Sequence, residues 1–413
     1  MFNVSMNRVL KKKNRVEQSP GQFVIFLDNK FPDFFSQVDF LFSSGFLSGA
    51  DVTVVAKFYY SSAKSLIDAQ KRLGFKLMFF STLASIPSVP AGAVVLYPYN
   101  GQSNSRMMLN RDCVHVFVGH GDSNKKASIN PLLRTYDNIL VTGDLARQRL
   151  LDQLILGQSD VSKVISLGKT LIDVHQSVRF RYASSRDGGT LVYLPTWEGG
   201  IEAENYCSIG EPSAAELIIG LAAKLGAKVV TIDIHPNLGT RRPVYLNRLA
   251  AQIKSFVAAG LKVQLVKSDT KTVSVSKLQG MLASGEISIA PETIDGCYAV
   301  VDVSAVEGVL AAAGMPTVVA WKTDAPLFTS EAYWKIRNRQ VVRLNSVGAV
   351  ERAVAHADTP ADKQEQQAFV DAMFGYEHPS LRDTAPAEQA QWLHKALFAA
   401  KALQKPFVVS AED

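Results

Sequence analysis

Short apolar runs rich in valine, isoleucine, phenylalanine and leucine recur along the chain and alternate with longer amphipathic stretches. In the first half the runs read as strands at Phe23–Leu27, Val52–Ala56, Leu77–Phe80, Ala93–Tyr97, Val114–Val118, Ile139–Val141 and Val164–Leu167. The second half repeats the rhythm at Leu191–Pro195, Lys228–Ile232, Lys262–Val266, Ile287–Ile289, Ala299–Val303 and Thr317–Ala320. Between them the periodicity turns helical over Ser62–Leu73, Asp144–Leu156, Ala214–Leu225, Tyr245–Ala259 and Ala305–Ala313. A strand that is apolar on both faces needs cover on both, so the pattern predicts parallel sheets flanked by helices.

One polar stretch, Gln176–Gly189, carries no apolar run and divides the series. It predicts a Rossmann-like domain over residues 1–178 and a second over 179–375, the two facing each other across a cleft. Past Asn345 the pattern becomes helical, through Val350–Ala355, Gln364–Phe374 and Glu388–Leu403. Residues 376–413 are expected to cross back onto the first domain. In such α/β sheets ligands sit outside the carboxyl ends of the strands. With 413 residues, 47% of them hydrophobic, there is enough apolar material for two cores.

Composition narrows the function classes. The net charge of +6 is spread thinly, and no dense Lys/Arg tract is interleaved with aromatics, which argues against nucleic acid. The compact basic cluster Lys11–Arg15 reads as a solvated arm. Cys113, Cys207 and Cys297 lie far apart without CxxC spacing, so neither a disulfide framework nor a metal site is expected. The most apolar stretch, Tyr298–Trp321, contains Asp302 and Glu307 and reads as a buried strand–helix–strand. With no apolar leader segment, a cytoplasmic chain with at most peripheral membrane contact is expected.

Chemistry concentrates where strands end. The run Val114–Val118 leads into Gly119-His120-Gly121 and a loop with Lys125 and Lys126. A histidine between glycines at a strand end suits a general base or a phosphoryl contact, although it also suits a turn cap. Leu191–Pro195 leads into Thr196-Trp197-Glu198-Gly199-Gly200, where Thr196 and Glu198 could meet a ligand and Trp197 reads as packing. Val229–Ile232 leads to His235-Pro236, and the nearby Arg241 and Arg242 tilt that histidine towards an anion site. Finally Asp302 ends a buried strand, with Ser304 as a helix N-cap and Glu307 one turn on. That start could hold phosphate, with Glu307 on ribose hydroxyls; a capping box would account for Ser304 and Glu307 without any ligand.

These four segments, in this order, resemble the CDP-glycerol glycerophosphotransferase family of teichoic-acid and capsule polymerases. The likeness rests on Gly119-His120-Gly121 with its lysines, Leu194-Pro195-Thr196-Trp197, His235-Pro236 and Asp302-Val303-Ser304-Ala305. Gly119, Val303 and Ala305 stand where the family has tryptophan, tyrosine and serine. The resemblance implies GT-B architecture, an acceptor-binding first domain and a donor-binding second domain. It implies transfer of glycerol phosphate from CDP-glycerol, or a related nucleotide-linked donor, to a glycan or lipid-linked acceptor, releasing CMP. His120 would be the base, and His235 with Arg241 or Arg242 would stabilise phosphoryl charge. Asp302, Ser304, Glu307 and Thr196 would contact the donor, and Gly121, Lys125 and Lys126 would face acceptor or phosphate. No cofactor and no metal are implied. Sugar transfer from a UDP-, GDP- or CMP-sugar, nucleotide-sugar epimerisation and a non-catalytic nucleotide-binding scaffold remain the alternatives, since fold alone does not decide function.

Overall fold

The computed structural model describes residues 23–30, 35, 38–119, 121–172, 179–183, 189–266, 272–283, 285–322 and 324–402. A first parallel sheet contains β1 (Phe23–Leu27), β2 (Val52–Lys57), β3 (Lys76–Phe80), β4 (Val94–Tyr97), β5 (Val114–Phe117), β6 (Asn138–Val141) and β7 (Val164–Ser166). Their spatial order is β3-β2-β1-β4-β5-β6-β7. Every residue of β1 and of β4 is buried, as a strand covered by helices on both faces requires.

A second parallel sheet contains β8 (Phe180–Tyr182), β9 (Thr190–Leu194), β10 (Val229–Ile232), β11 (Lys262–Leu265), β12 (Ile287–Ile289), β13 (Ile294–Asp302), β14 (Thr317–Trp321) and β15 (Val341–Arg343). The order is β12-β11-β10-β9-β13-β14-β15, with β8 added beside β13. The chain reverses direction of growth between β9 and β13, which opens a crevice at their carboxyl ends. β8 forms within the stretch that sequence alone reads as strandless. It is short, and only Phe180 among its residues is buried.

The C-terminal segment ties the halves together. The helix Pro360–Met373 packs in the second domain, and the chain then runs along the first sheet. Gly375 N donates to Thr142 O at 2.9 Å, Glu377 N to Ser166 O at 2.8 Å, and Tyr376 bridges Leu167. Gly143 admits this crossing, because a Cβ there would lie 2.5 Å from Gly375 N. The last helix, Pro386–Ala402, then buries Ala390, Leu393 and Leu397 in the first domain's core. Each buried leucine contributes roughly 1.5–3 kcal/mol. The C-terminal helices therefore pack back as the sequence pattern predicts. Among the described residues no helix is long and apolar enough to cross a membrane.

Candidate functional site

The loop after β5 leaves the first sheet and reaches the second domain. Gly121 lies against the turn after β13: with φ +129° it adopts a backbone that favours glycine, and a Cβ there would sit 2.6 Å from that of Ala305. His120 lies outside the described residues. Arg149, on the helix Asp144–Asp152, holds the loop from below. It pairs with Asp122 and donates to Asn124 Oδ1 at 3.2 Å. From the other domain Phe328 N donates to Asn124 O at 3.0 Å. The loop is thus pinned from both sides.

Lys125 completes the bridge, with Nζ donating to Thr196 Oγ1 at 3.1 Å and lying 5.3 Å from the centre of the Tyr206 ring. Thr196 is buried, and its N–H donates to Asp302 Oδ2 at 2.7 Å, across the gap between β9 and β13. Ser208 N donates to the same oxygen at 3.1 Å. Asp302 is fully buried, and burial pushes its carboxyl up to about 7 despite the donors from Ser208 and Thr196. Burial likewise lowers Lys125 to about 8, with Asp302 opposing the shift. Asp302 Oδ1 and Ser304 Oγ are buried without a hydrogen-bond partner among the described residues. Folded proteins rarely leave buried polar atoms without a partner.

The turn after β10 is built around Glu198. This carboxylate is 1% exposed and accepts from Gly239 N at 3.0 Å, Arg241 N at 3.1 Å and Arg242 N at 2.9 Å. Its oxygens serve the loop backbone, so it shapes the site rather than meeting a ligand. His235 stacks on Trp197 with ring centres 6.0 Å apart and planes 19° from parallel, while its Nδ1 accepts from Asn237 N at 3.1 Å. Trp197, read from sequence as packing, is therefore the platform that orients His235. The Arg241 guanidinium also lies 6.0 Å from the Trp197 ring centre and donates to Gly200 O at 2.7 Å. Arg242 pairs with Glu202. Both arginines are exposed at the cleft rim. Lys126 is exposed beside them, at the mouth of a recess of about 110 Å³ lined also by Lys125, Trp197, Gly200, Glu204 and Tyr206.

Two expectations change. The helix after β13 runs Val306–Ala312 with Ala305 at its N-cap and no side-chain cap, so the Ser304–Glu307 capping box does not form. Glu307 points inward instead of towards ribose. Its carboxylate receives Tyr333 Oη at 3.0 Å on each oxygen, and Arg337 at 3.2 Å from Nε and 3.0 Å from Nη2. Arg337 is itself fully buried and also donates to Thr317 O at 3.0 Å. An arginine with no exposure requires a carboxylate partner, and Glu307 is that partner. Sequence reasoning missed Arg149, Glu204, Tyr206 and Ser208, which sit in segments with no motif of their own. Among the described residues no cluster of three or more His, Cys, Asp or Glu could hold a metal.

Two Rossmann-like domains of parallel strands, facing across a cleft and tied by a returning C-terminal helix, define the GT-B architecture. Solved structures share it. A protein from Listeria monocytogenes assigned as a UDP-N-acetylglucosamine 2-epimerase matches with TM-score 0.50 at 12% identity, over 95% of this chain and 100% of its own. The Neisseria meningitidis UDP-GlcNAc 2-epimerase bound to UDP-GlcNAc matches with TM-score 0.50 at 11% identity, over 91% of this chain and 100% of its own. At such identity the likeness is one of fold. No family model and no curated protein matches the chain by sequence.

Proposed function

We propose that this chain is a transferase that takes its donor group from a nucleotide diphosphate in the cleft, and that the donor is CDP-linked. The observation that carries the reading is the convergence of strand ends from both sheets, with Lys125 Nζ 3.1 Å from Thr196 Oγ1 and Gly121 packed on Ala305. A structure of the same fold holds a nucleotide sugar, which supports a nucleotide-linked donor here.

In this reading the unpartnered Ser304 Oγ donates to a donor phosphate. His235, held by Trp197 and assisted by Arg241, stabilises charge as the phosphoryl group moves. Asp302 holds Thr196 and Ser208 in place from beneath. The acceptor hydroxyl attacks the distal phosphorus of the donor, His120 takes the hydroxyl proton, the bond to the bridging oxygen breaks, and CMP departs. Gly121, Lys125 and Lys126 face the acceptor side, and Arg242 stays a rim charge paired with Glu202. The ribose contact falls to a group other than Glu307. The acceptor is a surface glycan or lipid-linked chain met at the membrane face.

Calorimetry against CMP, CDP, UDP, UMP and GDP tests the donor, with cytidine nucleotides expected to bind tightest. Product analysis then separates phosphodiester from glycosidic linkage, the latter marking a sugar transferase. Conversion of a nucleotide sugar without acceptor would mark an epimerase. His235→Ala is expected to lower turnover about a hundredfold with the melting temperature unchanged. Normal turnover in His120→Ala would remove the base assignment.

A further inference from the structure

The recess beside the cleft holds a charge with no ion-pair partner among the described residues. Lys125 forms its floor, lying over the Tyr206 ring, and the hydroxyl of Thr196 is its one hydrogen-bond partner among the described residues. No carboxylate comes within ion-pair distance of it there, though Asp302 and Glu204 act on it through space. An ammonium withdrawn from water with one neutral partner is costly, and an incoming anion offsets that cost. Lys126 adds a second, exposed cation at the rim. Trp197 supplies an aromatic wall, and Glu204 a carboxylate able to accept from hydroxyl groups. An open space of about 110 Å³ suits one ring or polyol unit, since an enclosed cavity of similar order holds a benzene ring. Asp302, Ser304 and His235 do not line it, so it is separate from the donor phosphate position.

The geometry points to this recess as the seat of an anionic saccharide unit of the acceptor, its acid group on Lys125 and Lys126, its hydroxyls on Glu204 and its ring against Trp197. As an acceptor seat it rests on the transferase reading above; as a saccharide site it does not. Gly200 offers a clean test. It lines the recess, its nearest neighbours to an added Cβ are Arg241 atoms at 3.8 and 3.9 Å, and its backbone does not need glycine, so the fold tolerates a larger side chain there.

Saturation-transfer NMR on the full chain would compare glucose 6-phosphate, glucuronic acid, glucose and inorganic phosphate, with calorimetry of nucleotides alongside. Both sugar anions are expected to bind, glucose at least tenfold more weakly. Gly200→Leu should weaken the sugar anions at least tenfold while the melting temperature holds, and Lys125→Met should weaken them at least tenfold as well. Equal binding of inorganic phosphate, or undiminished binding to Gly200→Leu, overturns the inference, as does failure of both sugar anions to bind. If the sugar anions bind and no nucleotide does, the transferase reading fails and the recess stands as a saccharide site.

Discussion

Asp302 is the residue with most at stake, because its carboxyl is buried beside Lys125, Cys207 and Tyr193 and titrates near neutrality. Its pKa is raised above the ordinary carboxylate value, so the folded chain holds this proton where the unfolded chain has lost it. Stability from this group is therefore full below about pH 4 and is lost as pH rises towards about 7, by at most about 1.4 kcal/mol per pH unit. Asp302→Asn removes the titration, so its stability relative to the parent should improve from pH 5 to pH 7.5. Thermal melts at both pH values check this. Glu307 poses a different question, because it faces Arg337 rather than the cleft. Glu307→Ala strands a buried guanidinium and should cost about 3–5 kcal/mol in denaturant unfolding. Nucleotide affinity of the folded fraction should change less than threefold; a large affinity loss at unchanged stability would restore the ribose role.

At the scale of elements, the loop after β5 behaves as a part mounted on a neighbouring helix. Arg149 grips it through Asp122 and Asn124, while Phe328 ties Asn124 to the other domain. Arg149→Ala should cost about 3 kcal/mol of stability, as expected for a broken buried pair. It should lower turnover more than nucleotide affinity if, as proposed, the loop carries acceptor-side groups and the nucleotide lies at the end of β13. Steady-state kinetics beside nucleotide calorimetry would show the split, and equal losses in both would contradict it. Most strands are legible in the sequence to within a residue or two, since a doubly covered strand has to be an apolar run. β8 and β15 were not: β8 lies in a polar stretch with two of its three residues exposed, and each is held by its neighbour, β13 or β14. The helix after β13 was legible in position but not in its start, because inward ion pairing of Glu307 overrides the local capping signal.

For the whole molecule, the returning C-terminal segment decides whether the first domain is complete. Leu381, Leu393 and Leu397 lie in that domain's core although they come last in the chain. A chain ending at Gly375 would expose their partners and lose roughly 1.5–3 kcal/mol for each leucine. It should aggregate or unfold at lower denaturant in the first-domain transition, and adding residues 376–413 in trans should rescue solubility. A truncated chain that melts like the parent would show that the helix is dispensable. The same segment passes from the second domain onto the first sheet, where it is tied at Thr142 and Ser166.

What the sequence alone determined is the layered architecture and the strand ends at which polar residues gather, since both follow from local hydrophobic pattern and turn chemistry. What only the tertiary structure decided is which of those polar groups meet. Lys125 and Thr196 are 71 positions apart, Thr196 and Asp302 are 106 apart, and Glu307 and Arg337 are 30 apart. Pairs so distant along the chain leave no periodic trace, because their partners are chosen by the packing of whole elements. Hence a glutamate one turn into a helix reads as a ligand contact and proves to be the counter-charge of a buried arginine. Lys125 is a candidate from sequence, but its partner across the cleft, Thr196, becomes visible only once both sheets are in place.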